Sequence, residues 1–75
     1  MRVSKKESLF QELFTTNYSR LYYAALYFVN DAETAKDLVN DVFTHLWENF
    51  DEDAEIYTTA YLIANARNRC IDYLR

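Results

Sequence analysis

AKDLVNDVFTHLWENF, residues 35–50, decides the fold. Ala35, Leu38, Val39, Val42, Phe43, Leu46, Trp47 and Phe50 recur at intervals of one, three and four residues. At about 100° per residue they share one arc, the pattern of an amphipathic helix with a buried side. Opposite them lie Asp37, Asp41, Thr44 and Glu48, at i, i+4, i+7 and i+11, with Asn40 on the flank. The helix is predicted over residues 32–49, and Asp31 is placed to accept from the first free backbone N–H groups as its N-cap.

Working outward, residues 4–30 form a second helical pattern. Ser4 followed by Glu7 has capping-box spacing. Phe10, Leu13, Phe14, Leu21, Ala24, Ala25 and Phe28 fall on one broad face. Thr15, Thr16 and Asn17 are weak helix formers in its middle. The apolar register survives them, so the segment is read as one bent helix or two nearly collinear ones. Downstream, DEDAE (51–55) is a short acidic connection. The last helix starts between residues 54 and 60, with Ala60, Ile63, Ala66, Cys70, Ile71 and Leu74 as its apolar arc. Its polar stripe is Tyr61, Asn65, Asn68, Asp72 and Arg75, with Arg69 beside it.

Composition supports the same class. The chain has 75 residues, enough for one domain, taken as 1–75. It contains no Gly and no Pro, which disfavours the tight primed turns of β-hairpins. Five Phe, seven Tyr and one Trp supply bulk for a small core. The expectation is an all-α fold, a three-helix bundle with the first helix kinked or split.

One Cys and one His support neither a disulfide framework nor a four-ligand zinc site, and no cofactor is expected. Cys70 reads as a small core residue and His45 as a surface one. No nucleophile–base pair or phosphate loop stands out, so no enzyme is expected. Without a signal peptide or a membrane-length apolar run, the chain is expected in the cytoplasm, with no membrane insertion.

The ending ARNRCIDYLR (66–75) is basic in a chain of formal net charge −4. Arg67 projects into the middle of the proposed apolar arc. A buried guanidinium needs a partner, and the acids of the second helix are the nearest source. Arg67 is therefore read first as a structural tie to that helix, with direct ligand contact as the alternative. Tyr61, Asn65, Asn68, Arg69 and Arg75 are read as pointing outward. Amides, arginines and an exposed aromatic suit base edges, phosphates and an unstacked base. Yet residues 56–75 hold three Arg against one Asp, a local charge of +2, weak for a module that must find duplex DNA alone.

Three segments then match one family in order and spacing. AKDLVNDVFTHLWENF (35–50) resembles the polymerase-docking helix of bacterial sigma factors, and AYLIANARNRCIDYLR (60–75) the helix that handles the −10 promoter element. FQELFTTNYSRLYYAALYFVND (10–31) is similar to the start of the same domain. Together they resemble region 2 of a group 4, extracytoplasmic-function sigma factor of the Bacteroidetes branch. The resemblance implies that Asp37, Asn40, Asp41, Thr44 and Glu48 bind the β′ clamp helices of RNA polymerase core, pairing with arginines. It implies that Tyr61, Asn65, Asn68, Arg69 and Arg75 contact promoter DNA, mainly the non-template single strand, beside a flipped base.

An anti-sigma factor is a further implied partner. So is a longer natural chain carrying a linker and region 4. The sequence departs from the family at Asn40, often Gln, at Tyr61, often Trp, and at Ala64 and Asn65, one of which is often basic. A helical interaction domain that uses the acidic stripe and never meets DNA is the alternative.

Overall fold

A computed structural model describes residues 3–75, in three helices. They are α1 (Lys5–Val29), α2 (Ala32–Glu48) and α3 (Thr59–Leu74). Helix α1 is the spine and packs against both others, while α2 and α3 touch each other less. Its 25 residues set the long dimension of a body measuring 40 × 23 × 17 Å.

Each helix starts on the residue type that its orphan amides require. Ser4 Oγ accepts from Glu7 N at 3.1 Å, one half of the expected capping box. Asp31 Oδ2 accepts from Thr34 N at 2.9 Å and from the Thr34 hydroxyl at 2.6 Å. Those two bonds hold the Asp31 carboxyl below its usual pKa. Thr58 Oγ1 accepts from Tyr61 N at 3.1 Å and opens α3. At the far end of α1 the backbone reverses through Asn30, at φ 56°, ψ 32°. In a chain without glycine, asparagine takes the left-handed position that glycine usually fills.

The core is built from Leu21 and Ala25 of α1, Ala35, Val39, Val42, Phe43 and Leu46 of α2, and Leu62, Ala66 and Cys70 of α3. Burial holds the Cys70 thiol neutral by raising its pKa. An aromatic cluster closes the end of the bundle nearest the chain's start. Phe10 meets Phe43, Trp47 and Phe50 edge-on, with centroids at 6.1, 5.1 and 6.0 Å. Lys6 Nζ lies 4.3 Å from the Trp47 ring centre, covering a ring that is 37% exposed.

One open alternative is resolved and two expectations change. Helix α1 is continuous, neither split nor interrupted at residues 15–17. Thr15 Oγ1 bonds back to Gln11 O and Glu12 O at 3.0 and 3.3 Å, so its hydroxyl is satisfied without interrupting the helix. The apolar arc of α3 is rotated by about a quarter turn from the expected one. Leu62, fully buried, is its anchor, while Ala60, Ile71 and Leu74 are exposed. Arg67 consequently leaves the core. It is exposed and, among the described residues, forms no ion pair.

Candidate nucleic-acid and polymerase interface

Helix α2 carries two working faces. Asp37, Asn40, Asp41, Thr44 and Glu48 are all exposed along its outward side, as the stripe pattern requires. Rather more than a third of a turn away round the helix, its inner edge joins α3 in a groove of about 310 Å³. Val42, Leu46 and Leu62 line its apolar part. The separation follows from the heptad-like spacing: residues that bury Val42 and Leu46 leave Asp41 and Thr44 outside.

The groove gathers most of the expected strand contacts. Tyr61, Asn65, Asn68 and Arg69 line it together, and Asp72 closes one side. Tyr61 is 39% exposed and meets Tyr57 edge-on at 5.9 Å, so its ring is braced while one side stays open. Asn65 Nδ2 donates to Tyr61 O at 3.0 Å, which leaves its carbonyl as the free end. Asn65 and Arg69 are half-buried rather than fully outward, because the rotated arc draws them toward α2. Arg75, at the end of α3, is exposed and does not line the groove.

Groove residues outside the predicted set are His45 and Asn49 of α2, and Ile56 and Tyr57 of the connecting loop. Asn49 Nδ2 donates to the His45 backbone carbonyl at 3.0 Å, which fixes the Asn49 side chain at the end of the helix. Their one-helical-turn spacing was visible in the sequence. Their role was not, because it depends on where α3 crosses.

A second groove, of about 480 Å³, lies between α1 and residues 50–59. Leu9, Leu13, Phe50 and Tyr57 line it, together with Glu12, Glu52 and Glu55. Its carboxylates repel phosphate. The loop makes one local contact and one distant one: Asp51 Oδ1 accepts from Asp53 N at 3.0 Å, and Lys5 at the start of α1 reaches Asp53 at 3.4 Å. Among the described residues no cluster of three metal-ligating side chains occurs, and no helix is long and apolar enough to cross a membrane.

Residues 13–75 match the family Sigma-70 region 2, a length that takes in α1 from Leu13 onward and both other helices. The chain belongs to that family. It is thus a sigma factor domain of transcription initiation that works with RNA polymerase, and not an enzyme. No curated protein and no solved structure matches the chain.

Proposed function

We propose that this domain is region 2 of a group 4, extracytoplasmic-function sigma factor of Bacteroidetes type, acting in the cytoplasm to open the promoter −10 element. The acidic stripe docks on arginines of the polymerase β′ clamp helices, with Asp37 and Asp41 accepting and Asn40, Thr44 and Glu48 extending the face. The α2–α3 groove then takes the non-template strand. Tyr61 offers a ring for stacking, Asn65 and Asn68 offer amides to base edges, and Arg69 offers a cation to phosphate. Arg75 contacts the backbone further along the strand.

The observation that carries this reading is that the stripe on α2 and the strand set on α3, which lines the groove along the inner edge of α2, are open side by side. The stripe is wholly exposed, and the groove opens rather more than a third of a turn away round α2. Both can therefore be engaged together, and polymerase docking delivers a strand-binding surface too weakly charged to hold DNA alone. An anti-sigma factor that covers the stripe would silence both activities by blocking delivery.

The test has two arms. Asp41→Arg abolishes binding to a β′ clamp-helix fragment while the circular dichroism melt stays cooperative. Asn68→Ala and Arg69→Ala lower promoter opening in the polymerase complex without changing clamp affinity. Retained clamp binding by Asp41→Arg sinks the dock, and full promoter opening by both groove variants sinks the strand assignment. The second reading, an interaction domain without DNA contact, draws on the same exposed acidic stripe of α2. It requires clamp binding and no strand binding at all.

A further inference from the structure

Asn17 stands where a core residue belongs. Phe10, Phe14, Asn17, Leu21, Ala25 and Phe28 recur at three and four residues along α1, and Asn17 is 3% exposed. It is the buried polar side chain among the described residues. Its Oδ1 accepts from Thr59 Oγ1 at 2.6 Å, and its Nδ2 donates to Leu13 O at 3.0 Å. The first bond spans 42 positions of sequence and ties the middle of α1 to the first residue of α3.

An apolar residue would fill this slot with no polar group to satisfy. A buried amide costs free energy unless paired, and even paired it adds little net stability over a hydrophobic side chain. What it adds is registry: the bond forms only at one axial position and one rotation of α3 against α1. A single buried asparagine fixes register in coiled coils by the same logic.

The consequence reaches the groove. Thr59 is followed two residues later by Tyr61 and a turn later by Asn65, on the side of α3 that faces α2. Small apolar contacts at Ala66 and Cys70 tolerate sliding and rotation, as α3 offers α1 and α2 few large buried side chains besides Leu62. A hydrogen bond at the helix start removes that freedom. We infer that Asn17 is a positioning residue for strand capture, setting the register of α3 through Thr59 and thereby the placement of Tyr61 and Asn65. The inference rests on the strand-binding reading of the groove.

The experiment uses the complex with core RNA polymerase and fluorescein-labelled single-stranded DNA of randomised sequence, read by anisotropy. Asn17→Leu and Thr59→Val each weaken strand binding, by up to about tenfold for loss of one hydrogen bond's worth of alignment. The double variant is no weaker than either single one. Thr59→Ser, which keeps the hydroxyl, binds as the parent does. Core-polymerase affinity stays unchanged in all four, and the melting temperature of Asn17→Leu does not fall. Strand binding by Asn17→Leu and Thr59→Val at the parental level overturns the inference and leaves the groove reading intact. A loss in Asn17→Leu that follows a reduced melting temperature or core affinity also overturns it, since it marks a merely structural residue. Failure of the parent complex to bind the strand better than core polymerase alone defeats the groove reading itself, and this inference with it.

Discussion

Tyr57 accepts a hydrogen bond from the Asp51 backbone N–H at 2.9 Å while its ring stacks on Phe50 at 4.8 Å. One side chain thus closes the whole acidic connection between α2 and α3. The loop has no proline to restrict it, so this closure joins the Thr58 cap and the Asn17–Thr59 bond in fixing where α3 begins.

Tyr57→Phe keeps the stack and loses the acceptor. It should cost about 0.5–1.5 kcal/mol, the worth of one hydrogen bond. Faster amide exchange at Asp51 should accompany it. Tyr57→Ala also removes the ring from Phe50 and Tyr61, and should cost about 2 kcal/mol or more, short of the full value for a core aromatic. Equal denaturation midpoints for the parent and Tyr57→Ala would show that the loop is held by other means.

The α2 cap makes stability acid-sensitive. Hydrogen bonds from Thr34 lower the Asp31 pKa, so the carboxylate binds its proton less readily folded than unfolded. The stabilisation is complete above the ordinary aspartate range and is lost as pH falls through the lowered value. Asp31→Asn still offers an oxygen to Thr34 N and remains a good cap. It should leave neutral-pH stability nearly unchanged and flatten the acid limb of a melting-temperature profile between pH 5 and pH 2, taken as the approximate window for a lowered aspartate. An acid limb identical to the parent's would remove Asp31 from the account.

Cys70 is held neutral inside the core, its thiol pKa raised by burial. Thiolate is the reactive form, so an aromatic disulfide reagent should label it only through unfolding. The labelling rate should rise with denaturant in step with the unfolded fraction. Because the folded pKa is raised, the associated stability is complete below the ordinary thiol range and declines as pH climbs through the raised value. Cys70→Ser places a hydroxyl without a designed partner there and should cost about 1–3 kcal/mol. Rapid labelling of the native domain would contradict the burial.

Much of this architecture was legible because local signals agreed. Ser4 and Asp31 marked helix starts through side-chain chemistry that acts within three residues, and both occupy those positions. The stripe from Asp37 to Glu48 was readable because the opposite arc of α2 is strongly apolar. Helix α3 was harder. Its small and amphipathic residues, Ala60, Ala64, Ala66, Tyr61 and Tyr73, leave a shallow periodic signal that two rotations fit nearly as well. Choosing between them needed the partner helices, and Asn17 shows why. A polar residue that looked like a break became a buried contact only once Thr59 was placed opposite it.

The rotation of α3 is itself open to measurement. Leu62 is 0% exposed, whereas Ile71 and Leu74 are 36% and 58% exposed. Leu62→Ala should therefore cost about 2–5 kcal/mol, the range for emptying a core leucine site. At roughly 4–8 °C per kcal/mol for a domain of this size, that shift is large in a thermal melt. Leu74→Ala should change little. Arg67→Ala should fall within about 0.5 kcal/mol of the parent, as an exposed side chain without a partner does. A guanidinium tied to α2 in the core would instead cost about 3–5 kcal/mol when removed, through the charge left unpaired on its partner. The pattern that restores the first-expected arc is a severe Arg67→Ala with a mild Leu62→Ala, and the two outcomes lie too far apart to be confused.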